Sequence, residues 1–275
     1  MTSPIGDQAR DGQEPECREG HGWPRAADWQ GNELRCANCA HAQLAAAGGC
    51  ELKRACVHDR YARRIDRFFA WNPALAAEYL DHAYFETRAI AAKHASVFLL
   101  PPLLADPDAT VRWSAVARLP RRYLLRLRED PDREVRIRVA HRLDGADLIL
   151  MMTDPDYYVR QVVARRISAR MLALMMRDTD AEVRRVVAER IDLECLLAMA
   201  ADQDARVRLE VVRRLPATQL TWMQDDPDWR VRYELAGRLD TGLLDELLAD
   251  ADPMVRERCR QRIEAGAALT GPREG

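Results

Sequence analysis

From residue 106 onward, apolar and charged positions recur every 24 residues with no insertion. Each copy opens on an Asp-x-Asp whose first aspartate defines position 0: Asp106, Asp130, Asp154, Asp178, Asp202, Asp226 and Asp250. Val stands at +5 in every copy, from Val111 to Val255, and Leu or Ile stands at +13. Between them, +9 and +10 are mostly Val or Ala. The offsets +5, +9, +10 and +13 follow a helical rather than an alternating rhythm. At 100° per residue they cover an arc of about 140°. Leu at +18 and Leu or Met at +21 form a second, shorter apolar pair. Stepping back 24 residues from Asp106 yields a degenerate first copy: His82, Tyr84, Thr87, Arg88, Leu100 and Leu103. Such a period is the mark of a solenoid, in which each unit buries its apolar face only against its neighbours.

The polar positions predict where each element begins. An Asp at +2 suits an N-cap, since its oxygen accepts from free amides of the first turn. Pro253 at +3 fits the first helical position, where no amide is missed. The pattern therefore predicts an α-helix from about +3 to +13 in each copy. Leu at +18 with Leu or Met at +21 predicts a single tight 3₁₀-like turn, because too few residues remain for a second helix. The fold class expected is all-α: a solenoid of 24-residue repeats in which an α-helix alternates with a short 3₁₀ helix.

One position conflicts with this simple amphipathic scheme. Position +6 lies inside the apolar arc, yet it is Arg in every copy, from Arg112 to Arg256. An unpaired guanidinium there would cost several kcal/mol. Asp at 0 and +2, of the same or the neighbouring copy, are the available partners, so a ladder of Asp–Arg pairs is predicted. Arg also recurs at +12, from Arg118 to Arg262. That position sits at the edge of the arc and is predicted to be a solvated face.

Composition narrows the function. Of 275 residues, 48% are apolar and 31% charged, and the net charge is −2. All but two of the 42 basic residues are arginine, which favours directional pairing with carboxylates. Near neutrality argues against a polycationic nucleic-acid binder. No stretch approaches the roughly 18–20 apolar residues of a membrane span, and the first residues lack a secretory signal. A cytoplasmic protein with no membrane association is expected. No Gly-rich phosphate loop, nucleophile elbow or recurring acid–base pair marks an enzyme, so none is expected.

The chemistry-bearing residues gather ahead of the repeat. Five of seven cysteines (Cys17, Cys36, Cys39, Cys50, Cys56) fall in the first 56 residues. Cys36, Cys39, Cys50 and Cys56 are spaced C-x2-C-x10-C-x5-C, a set of four thiols that matches neither the ferredoxin run nor paired zinc knuckles. In a reducing compartment such a cluster predicts metal ligation, by a [4Fe–4S] cluster or by Zn²⁺ as the alternative. Cys17 is a possible substitute ligand, otherwise a mobile thiol. His21, His41 and His58 are treated as surface histidines, and Trp23 and Trp29 as small-domain core or a cover for the site. Residues 57–73 read as an amphipathic helix ending before Pro73, with Tyr61, Ile65, Phe68 and Phe69 on its apolar face. Arg60, Arg63, Arg64 and Arg67 make it the most basic segment and weak candidates for partner binding. Cys259, at +9, is expected in the core, and Cys195 is expected to be inert.

The unit D-P-D-x-x-V-R-x-x-V-A-x-R-L followed by L-x-x-M resembles the leucine-rich repeat variant over roughly residues 82–265. With its cysteine-bearing head, the chain resembles bacterial members of that family that carry a 4Fe–4S cluster. The resemblance implies a right-handed superhelix of alternating α and 3₁₀ helices, a [4Fe–4S] cofactor rather than zinc, no known catalytic activity and a bacterial, partly nitrogen-fixing distribution. True leucine-rich repeats need L-x-x-L-x-L on a strand, which is absent, and HEAT units need two full helices. The expected organisation is a disordered tail (1–16), a cluster domain with its amphipathic helix (17–71), eight repeats (72–265) and a C-terminal tail (266–275). The expected function is a redox-linked protein-interaction scaffold whose partner is another protein. The alternatives are an electron-transfer partner of a redox enzyme or a zinc-stabilised solenoid that binds nucleic acid.

Overall fold

The computed structural model describes residues 26–270. The tail predicted for 1–16, together with Cys17, His21 and Trp23, lies outside the described residues. The chain divides after Ala95 into two compact units. The sequence places the end of the cluster domain at residue 71. The first unit nevertheless continues to Ala95, because the 3₁₀ stretch Pro73–Tyr79 and the helix Phe85–His94 pack on the helix Ala62–Trp71. Ile65, Phe68 and Phe69 are the buried face of that helix, as their spacing predicts.

In the second unit the repeat is helical throughout. Helices Arg133–Arg142, Tyr157–Arg166, Ala181–Arg190 and Ala205–Arg214 occupy +3 to +12. Helices Ala109–Val116 and Trp229–Ala236 stop two residues earlier. The aspartate at +2 caps each helix; Asp132, for example, accepts from Glu134 N at 2.8 Å and Val135 N at 3.3 Å. Consecutive helices pack side by side. Val at +5 and Leu at +18 are fully buried, as is Cys259. The second segment is 3₁₀ in most copies, but Gly145–Ile149 and Leu193–Leu196 close as α turns. Both turns still bury the +18 leucine, so the apolar pair decides the inward face and either hydrogen-bond pattern satisfies it. The last helix runs Pro253–Thr270, past the predicted end of the repeats at residue 265.

The +6 arginines form the predicted ladder, and its partner is the 0 aspartate of the next copy. Six rungs lie within the unit: Arg112–Asp130, Arg136–Asp154, Arg160–Asp178, Arg184–Asp202, Arg208–Asp226 and Arg232–Asp250. In each, Nε and Nη2 grip the two carboxylate oxygens, as at Arg160, where both distances are 2.8 Å. The third nitrogen turns back: Arg160 Nη1 donates to the carbonyl of Asp154, in its own copy, at 2.8 Å. The carboxylate also receives the +2 backbone amide, as Asp178 does from Asp180 N. Asp at +2 is thus a cap, not a rung. These contacts raise the arginine pKa values, with the aspartate hydrogen bond the main cause, and hold Asp250 below the ordinary carboxylate range.

The +12 arginines are not a solvated face. Arg142 donates from Nη1 to Val116 O at 2.6 Å and from Nη2 to Leu119 O at 2.8 Å, both at the C-terminal end of the preceding copy's helix. Arg166, Arg190, Arg214 and Arg262 reach back to the same two positions. Each therefore supplies donors to carbonyls that a helix end leaves without partners. A single helix in isolation offers these arginines no such acceptors; only the neighbouring copy does. Among the described residues there is no strand, only two isolated antiparallel bridges in the first unit, and no helix is long and apolar enough to cross a membrane.

Candidate metal centre

The four clustered cysteines come from three pieces of local structure. Cys36 opens the 3₁₀ turn Cys36–Asn38, and Cys39 N donates to Cys36 O at 3.1 Å, so C-x2-C turns both thiols toward one side. Cys50 follows Gly48, whose φ of 76° favours glycine. A Cβ on Gly49 would meet the side chain of Leu44 at 2.5 Å, so Leu44 packs directly over this glycine and would have to shift to admit one. Asn72 at the end of the amphipathic helix donates to Gly49 O at 2.8 Å and ties this turn down. The third piece closes the C-x5-C interval. Glu51 and Ala55 form an antiparallel bridge around a tight loop with Lys53 at φ 64°, leaving Cys50 and Cys56 as its flanking residues.

All four thiols line one cavity of about 430 Å³, and all are half-buried. No disulfide joins the described cysteines. Burial pushes Cys56 up to about 11, against N–H groups of His58 and Asp59 that face its sulfur; nearby Asp59 and Cys39 add to the rise. Burial also raises Cys50, with Cys36 and Cys39 as further causes. With Cys50 and Cys56 both raised, beside Cys36 and Cys39, the site holds protons when alone and releases them to a cation. The donor set thus fits a thiolate-bound metal group. Among the described residues no three His, Cys, Asp or Glu side chains are drawn together as ligands of a single ion.

The wall of the cavity contains residues that spacing did not single out. His41, His58 and His82 line it with the cysteines. His41 and His58 stack at 6.0 Å, His58 lies 6.3 Å from His82, and His41 Nε2 bonds the hydroxyl of Tyr79. Neither His41 nor His58 is an ordinary surface histidine. A signal for them exists in the sequence: both sit in Cys-x-His, and His41 N lies 3.4 Å from Cys39 Sγ. His82 and Tyr79 carry no such signal. Burial lowers His58 and raises Tyr79 to about 12. Trp29, also on the cavity, stacks on Tyr84 at 5.8 Å and is 44% exposed, so it covers part of the site without being core.

Of the basic candidates, Arg60, Arg63 and Arg67 are exposed, whereas Arg64 is turned inward. Its Nη1 donates to Asp59 Oδ2 at 2.7 Å, and Asp59 is fully buried. Arg64 therefore does not belong to an exposed basic surface. Its backbone carbonyl accepts from Cys56 N at 3.2 Å, so it anchors the Cys56 corner.

Comparison with known proteins agrees with both halves of the chain. Residues 26–78 match a family described as the LRV protein FeS4 cluster. An uncharacterized 27.7 kDa protein of the nifB 3' region of Rhodobacter capsulatus is 55% identical over 97 residues. That match covers 35% of this chain and 40% of the relative, so it spans well under two thirds of that protein's length. A solved structure, described as a leucine-rich repeat variant with a novel repetitive structural motif, is 41% identical with a TM-score of 0.80. The likeness covers 83% of this chain and 98% of that one. The chain belongs to the leucine-rich repeat variant family, and its first unit carries that family's iron–sulfur cluster domain.

Proposed function

We propose that this leucine-rich repeat variant protein is a non-catalytic, redox-linked interaction scaffold whose first unit holds a [4Fe–4S] cluster on Cys36, Cys39, Cys50 and Cys56. The observation that carries this reading is the lining of one cavity by all four thiols, in a volume suited to a polynuclear group. When bound, the cluster supplies a one-electron redox centre or a structural cross-link. The chain's own residues do the rest. The N–H groups of His41, His58 and Asp59 stabilise negative charge on Cys39 and Cys56. The buried Asp59–Arg64 pair fixes the Cys56 corner, and the stacked histidines with Trp29 limit access of water.

The solenoid supports a protein partner better than a nucleic acid. Its two regular arginine rows are engaged with carboxylates and carbonyls within and between copies, so neither row is left for phosphates among the described residues. Anaerobic protein should be brown, with about four irons and four sulfides per chain. Cys36→Ser should lose most of that content, whereas Cys17→Ser and Cys195→Ser should keep it. Stoichiometric zinc without inorganic sulfide would overturn the cluster assignment.

A further inference from the structure

The 3₁₀ side of the second unit carries a row of exposed apolar side chains. Leu150 and Leu174 are 57% and 66% exposed, Leu197 and Trp222 45% and 56%. Leu150, Leu174 and Trp222 stand at +20 and Leu197 at +19 of four successive copies, so the 24-residue period sets them along the same side of the unit. A row of exposed apolar side chains along one face marks an interaction site.

Charge along the same face identifies the occupant. Some charges are already matched within the chain: Arg121 pairs with Asp144 and Asp147, and Arg128 with Glu129. What is left is segregated. In the copies that open at Asp106 and Asp154, exposed Arg122, Arg126, Arg170 and Arg177 make no ion pair among the described residues. In the copies that open at Asp178 and Asp226, the same holds for exposed Asp192, Glu194, Asp245 and Glu246. The first half of the face is basic and the second half acidic, with the apolar stripe running through both.

We infer that this face is the interface of an antiparallel homodimer, a second copy of this chain being the partner that fits it. A two-fold axis between the copies opening at Asp154 and Asp178 sets Leu174 against Leu197, and Leu150 against Trp222. The same axis brings Arg170 and Arg177 to Asp192 and Glu194, and Arg122 and Arg126 to Asp245 and Glu246. Such self-complementarity about one axis is what a closed isologous contact requires. Apolar anchors supply the affinity, and opposed charges set orientation and register. The inference concerns the solenoid alone and does not depend on the cluster assignment.

Sedimentation equilibrium of the full-length, cofactor-loaded protein under reducing conditions tests it. A concentration-dependent monomer–dimer equilibrium is expected. Leu174→Asp, at an exposed position, should leave helix content unchanged and weaken dimerisation by about tenfold or more. Reversing Arg122 and Arg126 to Glu should also weaken it, and adding Asp245→Arg and Glu246→Arg to that chain should restore it. Only antiparallel pairing of identical faces expects that rescue. A monomer up to the solubility limit would overturn the inference, as would a dimer indifferent to Leu174→Asp or a charge reversal that is not rescued.

Discussion

The two units solve the same problem, buried polar chemistry, in opposite ways. In the solenoid one solution is repeated: a guanidinium inside the apolar arc is closed by a carboxylate 18 residues on and a carbonyl 6 residues back. In the first unit every solution is particular to its place: an Asn–carbonyl tie, one buried Asp59–Arg64 pair and two Cys-x-His turns. Repetition makes polar burial legible, because a mistake would be copied in every unit. Single solutions hold a site that a period cannot describe.

The sharpest way to break the comparison is to remove one rung. Arg160 and Asp178 have side chains 12% and 7% exposed, so Arg160→Ala leaves a nearly buried carboxylate without its counter-ion. We expect a loss of roughly 3–5 kcal/mol in chemical denaturation, with cluster content unchanged. Arg160→Lys should recover only part of it, since an ammonium cannot grip both oxygens and the carbonyl together.

Opposite pH responses should separate the units. Asp250 has a lowered pKa through Arg232, so its contribution is present above the ordinary carboxylate pKa and is lost as pH falls through the folded value. Cys56 is raised from 9.0 to about 11. In metal-free, reduced protein its contribution is present below pH 9.0 and is lost as pH rises toward 11. That contribution is at most about 2 kcal/mol after allowing for partial exposure. Unfolding curves from acid to alkaline pH, with probes in each unit, should show the solenoid weakening in acid and the metal-free first unit in alkali.

A smaller effect distinguishes the two arginine rows. Arg166→Ala removes donors to Ala140 O and Leu143 O, at a position that is exposed to water. It should cost about 1–2 kcal/mol, against about 0.5 or less for its neighbour Arg165→Ala. Urea midpoints of the two variants make the comparison. The smallest change is a gain. Thr87 occupies +5 of the degenerate copy, fully buried, and its hydroxyl has no hydrogen-bond partner among the described residues. Thr87→Val restores the repeat residue and should stabilise by about 1 kcal/mol in thermal unfolding.

What was legible followed from rules that act within one copy. Helical spacing marked +5, +9 and +13 as core, the N-cap preference marked +2, and the energetic cost of a bare guanidinium demanded an anion near +6. Four thiols in one short segment announced metal chemistry without deciding which metal. Other features depended on how one copy sits on the next. Stacking chose Asp at 0 over Asp at +2 as the rung, because the +2 carboxylate is already held by its own helix amides. Stacking also carried Arg166 back 26 and 23 residues to the preceding helix end, a reach invisible on a single helical wheel. In the first unit, the bridge between Glu51 and Ala55 brought Cys50 and Cys56 to one cavity, and folding added His82 and Tyr79 to its wall. The sequence alone determined the period, the core and the need for counter-charges, since these depend on local geometry and desolvation. Only the tertiary structure decided which distant atoms met them, because that choice rests on the offset between packed elements.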